Sequence, residues 1–400
     1  MIPARPSLFY PACALLMASA FILRWVGLPF QTEDMRLFLL PWFDYIVNHG
    51  RFAALSDNFY NYTPPYIYLL TLASYFDGWV ARPVLIKAVS ILFDFSAAFL
   101  VFKIVRTVSH NKRRALLMAL LFLNLPTVVL NGAVWGQCDI IWTNFILAFA
   151  YFLLRKMPFY AILMYGIALS LKVQAIFLAP FVLYLFLTGI VPWLYAMLPP
   201  LIYGLLCLPA ALAGRSWDSL LAIYAEQAGM AYRLSLRAPN IYVIIQHFLP
   251  PALYPAATFA GIAVTALVSG ILVVTHLRQK PPLPSLFVIV ALALWFAVVP
   301  MLLPRMHERY FFIADIFTFL LAVTLPRTAW IAVLFQIGSV LAYSYFMSLD
   351  YNFAIDFHPA AMIGALAIIP ATVGIGYYYR QIIGGPRSSA LNSRGGSEAV

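Results

Sequence analysis

The sequence predicts an all-α, polytopic membrane protein with about twelve transmembrane helices and additional interfacial helices in its outer loops. Of its 400 residues, 64% are hydrophobic and 10% charged, far more apolar surface than one soluble core can bury. The apolar residues also recur in long stretches, and crossing roughly 30 Å of hydrocarbon takes about 20 residues at the helical rise. Lys and Arg gather in short clusters between these stretches, as topology signals do.

The spans read as residues 8–26, 83–105, 115–132, 139–154, 157–171, 173–189, 191–212, 252–276, 284–303, 309–325, 328–346 and 359–378. The first resembles a signal peptide around Ala18-Ser19-Ala20, but its apolar run continues to the interfacial aromatic Trp25, so a retained helix is expected. With both termini cytoplasmic, the inner loops hold Arg5, Lys103, Arg106, Lys112, Arg113, Arg114, Arg155, Lys156, Arg278, Lys280, Arg327, Arg380, Arg387 and Arg394. Those are fourteen of the twenty-five basic residues. Eleven of the fourteen acids then fall on the outer face and only Glu398 on the inner. A charge-dense outer surface of this kind suits a site rather than a topogenic loop.

Residues 1–383 are expected to form one transmembrane domain, followed by a Gly-, Ser- and Arg-rich, disordered cytoplasmic tail over 384–400. Two outer regions exceed simple connections. In 27–82, an apolar stretch is broken by Pro41, and Thr63-Pro64-Pro65 opens a helix ending near Asp77-Gly78. Reading 64–80 as a span would export the Lys112-Arg113-Arg114 cluster, so both helices are laid flat on the outer surface. In 213–251, Trp217, Leu220, Leu221, Tyr224 and Ala228 recur at helical spacing, with Asp218, Glu226 and Arg233 off that stripe.

Several function classes are excluded. The net charge of +11 lies in loop clusters rather than on an amphipathic arm, so nucleic acid is not the expected partner. Cys13, Cys138 and Cys207 are too scattered for a disulfide framework or a zinc site. No Walker loop or dinucleotide fingerprint accompanies a strand–helix pattern, which argues against a soluble nucleotide-sugar donor. Glu33, Asp34 and Asp139 are hard oxygen ligands, yet no dense carboxylate loop of the calcium type is present; no metal or other cofactor is expected.

Candidate site residues cluster in the outer segments. Asp34 follows the first span and could act as a base or, like Thr32, cap the helix that begins near Met35. Lys172 stands between apolar runs, where a buried ammonium is expensive and snorkelling is the competing explanation. Arg305, His307, Glu308 and Arg309 place four ionisable residues in a run of five, more charge than helix anchoring needs. Asp139 and Gln137 could bind hydroxyls, and Asp139 could alternatively cap its helix or pair with a basic residue from another loop. Asp94 and Asp315 lie within spans, where an uncompensated charge costs several kcal/mol; protonation or pairing is expected, or else an ion path.

The order of these features resembles the GT-C glycosyltransferases, which take a sugar from a polyprenyl-phosphate carrier. Glu33-Asp34, Pro41-Trp42 and Asn61-Tyr62-Thr63-Pro64-Pro65-Tyr66 match the acidic first outer loop and its surface helices. Trp135-Gly136-Gln137-Cys138-Asp139, Ser170-Leu171-Lys172-Val173-Gln174-Ala175 and Met306-His307-Glu308-Arg309-Tyr310-Phe311 look like bacterial relatives of the GPI mannosyltransferase that adds the second mannose. The likeness covers roughly residues 30–320. It implies transfer of a sugar, mannose by preference, from a polyprenyl-phosphate donor to a glycan, lipid or protein acceptor on the periplasmic face of a bacterial inner membrane. Asp34 would be the base of an inverting displacement, with Glu33 the weaker candidate. Lys172, Arg305, Arg309 and His307 would meet the lipid phosphate, and Asp139, Gln137, Glu308, Asn61 and Tyr62 the sugar or acceptor. A transporter or flippase for a lipid-linked saccharide is the alternative; such proteins tend to place substrate at midplane in broken helices, whereas this chain concentrates charge at one surface.

Overall fold

The computed structural model describes residues 6–229, 233–279, 284–349 and 359–384. The tail expected to be disordered beyond Gly384 lies outside the described residues, as do Arg5, Lys280, Asp350, Asp356, Arg387, Arg394 and Glu398. α1 (Pro6–Gly27) leads through a π-helical turn, Met35–Leu39, into α2 (Leu40–Asn48) and α3 (Pro64–Ser74). The long α4 (Arg82–Ser109) is followed by α5 (Lys112–Leu123) and α6 (Pro126–Val129), which runs on as a second π-helical turn, Leu130–Trp135. Next come α7 (Asp139–Leu154), α8 (Pro158–Leu171), α9 (Ala179–Leu187), α10 (Leu198–Ala213) and α11 (Trp217–Gly229). A short strand β1 (Ser235–Leu236) precedes α12 (Ile241–Phe248), α13 (Tyr254–Gln279) and α14 (Ser285–Leu302). β2 (Met306–His307), α15 (Phe312–Thr324), α16 (Ala329–Leu349) and α17 (Ala360–Gly384) follow.

The chain is thus an all-α, membrane-embedded protein. Each of the twelve apolar segments read from the sequence is helical, and proline sits in the first turn of α3, α4, α6, α8 and α9, where its missing N–H costs nothing. Among the described residues, six helices are long and apolar enough to cross a membrane, or seven when the pair bent by 52° between Lys112–Leu123 and Pro126–Trp135 counts as one. Four further apolar helices, among them α7, α8 and α15, are shorter.

Hydrophobicity on all sides of α14 puts it at the centre. Fourteen of its eighteen residues are buried, against α15, α17 and α7. α1, α10 and α13 bury little within the protein and turn their apolar surface outward, the environment a bilayer supplies. α3 ends at Ser74, short of Asp77, and buries seven of its eleven residues. It is held from within by Tyr68, whose hydroxyl donates to the Leu206 carbonyl at 2.9 Å and accepts from the Ala210 amide at 3.1 Å. α3 therefore packs largely on protein, while Leu72 at 63% stays exposed.

Contacts at the helix ends fit an alternating bundle. At one end, Arg114 at the start of α5 donates to the Val323 carbonyl at the close of α15, and His276 and Tyr379 meet at 2.5 Å near the last turns of α13 and α17. The loop after α1 and the starts of α7 and α15 gather at the other. Within the bundle, Arg24 donates to Asp94 through Nε at 3.0 Å and Nη2 at 2.8 Å, and to the carbonyls of Ala20 and Leu123 at 3.0 Å each. Asp94 is therefore one of the expected buried pairs. Asp315 accepts from the Ser339 hydroxyl at 2.9 Å.

Candidate functional site

The site begins where α1 ends. Lys87 of α4 donates to the carbonyls of Gly27 at 2.8 Å, Leu28 at 3.2 Å and Phe30 at 2.5 Å, so one ammonium fixes the turn that delivers Asp34. Thr32 next donates to the Trp135 carbonyl at 3.2 Å and accepts from the Met35 amide at 3.4 Å. Of the two possible caps, Thr32 is the one used; Asp34 makes no side-chain cap. Its carboxylate instead accepts from the Trp135 indole at 3.0 Å and the Gln137 amide at 2.6 Å, both through Oδ2. The side chain is 22% exposed, and its polar contacts among the described residues all fall on that oxygen.

Backbone geometry fixes the two donors. Gly136 ends the second π-helical turn at φ +79°, a left-handed conformation that suits glycine, and a Cβ there would come within 2.5 Å of Met35 Cε. That single residue turns Trp135 and Gln137 toward Asp34. Ser90 holds the far side of the motif, donating to the Gln137 carbonyl at 2.7 Å.

Three segments then meet in a chain of opposite charges. Lys172, where α8 gives way to a 3-10 turn, has its Nζ on Asp139 Oδ1 at the first residue of α7. Asp139 also accepts from Asn131 Nδ2 at 2.9 Å. Arg309 stands 3.7 Å from both Asp34 and Asp139 and donates to Glu308 at 2.7 Å. Burial works against the Lys172 ammonium, but the Asp139 carboxylate more than offsets it, and the lysine pKa lies above its ordinary value. At Glu308, burial is likewise outweighed by His307 and Arg309, which hold the carboxyl below its usual range. Three carboxylates, Asp34, Asp139 and Glu308, face two cations, Lys172 and Arg309, so the cluster carries one surplus negative charge.

A two-residue parallel ladder positions the 305–309 run. Ser235 pairs with Met306 and Leu236 with His307, and the Arg305 amide donates to the Leu234 carbonyl at 2.7 Å. This ladder leaves Met306 and Glu308 buried, while His307 lines an open cavity of about 960 Å³. His307 Nδ1 lies 3.6 Å from Glu308 Oε2, which links cavity and cluster.

The remaining sequence candidates divide. Tyr62 packs on Trp42 at 5.2 Å, and its ring lies 5.5 Å from Lys172 Nζ. Burial pushes its hydroxyl pKa up to about 12, so it is a neutral donor. Asn61 accepts Gln227 Nε2 on its carbonyl at 2.5 Å, and its buried side-chain oxygen has no hydrogen-bond partner among the described residues. Glu33 is exposed and Arg305 half-buried; among the described residues neither side chain has a partner, and neither is in the cluster. Sequence reasoning missed Asn131 and Lys87, and took Trp135 only as part of a motif. For Lys87, a lysine inside an apolar span was the available signal. Among the described residues no three His, Cys, Asp or Glu side chains come together as a metal site.

No protein-family model matches this chain, and a search of curated proteins returns no similar sequence.

Proposed function

We propose that this chain is a membrane glycosyltransferase that moves a sugar, mannose by resemblance, from a polyprenyl-phosphate donor to a hydroxyl of a glycan, lipid or protein acceptor. It crosses the membrane twelve times, with both termini cytoplasmic and the Asp34 end facing the periplasm of a bacterial cell. The observation carrying this reading is the state of Asp34: freed from capping by Thr32, fixed through one oxygen by Trp135 and Gln137, and 22% exposed as a side chain. A carboxylate held this way is oriented without being consumed, as a general base must be.

In the reaction, the acceptor oxygen attacks the anomeric carbon while its proton passes to Asp34 Oδ1. The bond between that carbon and the phosphate oxygen breaks, and its electron pair leaves with the phosphate. One displacement inverts the anomeric centre. Asp139, neutralised by Lys172, and Glu308, neutralised by Arg309, border the reacting region with fixed polar groups that need not reorganise.

The bend between α5 and α6 is a feature that favours a flippase. Reconstitution into vesicles separates the two readings. With polyprenyl-phosphate mannose added on the Asp34 side and a set of short mannosides as acceptors, the transferase releases polyprenyl phosphate and labels an acceptor. Intact donor crossing between leaflets, with no bond broken, would establish the alternative.

A further inference from the structure

The corner between α3 and α4 turns its apolar side chains away from the protein. Leu72, Tyr75, Phe76, Trp79 and Val80 crowd into the run 72–80 and all are exposed, Trp79 at 85% and Phe76 at 52%. So dense an apolar patch on a folded surface marks an interaction site rather than scattered exposure. The Phe76 and Trp79 rings meet edge to face at 6.4 Å, and the Arg51 guanidinium lies 5.2 Å from the Tyr75 ring.

The patch is held rigid from beneath. Arg82, the first residue of α4, donates to both oxygens of Asp77 at 2.8 Å and to Asp44 of α2 at 2.6 Å, tying the corner to two helices. The amides of Trp79 and Val80 donate to the Phe76 carbonyl at 3.1 and 3.3 Å, and Gly78 makes the turn at φ +88° with nothing within 4 Å of where a Cβ would stand. Asp77 is the only acid between Ser74 and Arg82, and Arg82 holds it, so no bare carboxylate stands among the aromatic rings.

α4 fixes where this corner stands. Its 28 residues run about 42 Å, the thickness of a hydrocarbon core with both headgroup layers. Lys103 and Arg106 mark its far end, since cations keep to the polar side of a membrane, and roughly 20 residues back from Lys103, one hydrocarbon thickness, the chain reaches Pro83. Trp79 precedes Arg82 by a chain reach of at most about 11 Å. That arithmetic sets it at the headgroup layer opposite Lys103. The layer is the one at the Asp34 end: Lys87, in the second turn of α4, grips the carbonyls of Gly27, Leu28 and Phe30, and Arg82 grips α2, the helix that follows the Asp34 turn. Tyr and Trp suit such a layer, combining apolar area with an O–H or N–H that finds a partner at the wet boundary.

We propose that the corner over 72–80 is a membrane-contact surface. Phe76, Trp79 and Val80 sit among the lipid headgroups of the leaflet on the Asp34 side, and through Arg82 and α2 the contact sets how high the Asp34 turn stands above the hydrocarbon. The attraction is apolar and aromatic, so zwitterionic lipid suffices. Nothing in it depends on sugar transfer.

The test is spin labelling of the full-length protein, carrying Cys13→Ala, in phosphatidylcholine vesicles with and without phosphatidylglycerol. Trp79→Cys is compared with Lys112→Cys in an exposed loop and with Leu92→Cys on the outward face of α4, by collision with oxygen and with a water-soluble nickel chelate. The label at 79 is expected to meet nickel about tenfold less than the label at 112, because a polar chelate pays to leave water, and to stay open to oxygen in both lipid mixtures. Nickel access equal to that at 112 places the corner in water and overturns the proposal. Shielding from both reagents means that protein, such as a second copy of the chain, covers the patch, and protection found only with phosphatidylglycerol means that charge holds it; either overturns the proposal. Phe76→Ser/Trp79→Ser, both exposed changes, is expected to leave the melting temperature in detergent unchanged and to raise nickel access at a Glu33→Cys label; no change at that label overturns the link to the Asp34 turn.

Discussion

Replacing Asp34 by asparagine is expected to lower the rate of sugar transfer by about 10²–10⁴-fold, the usual contribution of a positioned general base. Asparagine still offers an oxygen to the Trp135 indole and the Gln137 amide, which bond Oδ2 at 3.0 and 2.6 Å. The change removes the cluster's one surplus negative charge, leaving Asp139 and Glu308 against Lys172 and Arg309. Since the helix cap belongs to Thr32, no secondary structure depends on the lost charge. Melting temperature in detergent and donor affinity should therefore stay near wild type while turnover collapses. An enzyme in which turnover and melting fall together would assign Asp34 a structural task, and undiminished turnover would remove it from the mechanism.

The largest expected effect on stability comes from Lys172→Met. It strands the Asp139 carboxylate, 2% exposed, with only Arg309 at 3.7 Å in place of its close ammonium partner. Breaking a buried pair from one side costs about 3–5 kcal/mol, because the remaining charge has lost its compensation. Adding Asp139→Asn should restore much of that loss, since the amide removes the charge while its oxygen still accepts from Asn131. Thermal melts of the wild type, both single variants and the double variant form a cycle whose coupling term measures the interaction. Additive single effects would mean that the two side chains do not act as a pair.

The helical spans were legible because their signal is compositional: an apolar run of sufficient length needs no tertiary context to be recognised. Whether each crosses was not, since α7, α8 and α15 fall below the length at which a helix identifies itself as a span. The segments of the site were legible from charge placed against apolar surroundings. Their pairings were not: Lys172 meets Asp139 across thirty-three residues, a partner selected by packing rather than by local pattern. The choice of Thr32 over Asp34 as cap turned on the position of Trp135, which no local rule supplies. Two-residue strands carry no period to detect, so the ladder that parts His307 from Glu308 was invisible in the sequence. The charges of Lys172 and Arg309 were visible in the sequence, but not the carboxylates packed against them.

The central claim is a single displacement assisted by Asp34. Its most direct test is the anomeric configuration of the glycoside that the purified, reconstituted protein makes from a polyprenyl-phosphate donor of known configuration, read by NMR. The expected product has the opposite configuration. Retention of configuration, or recovery of the donor intact with every acceptor supplied, would contradict it.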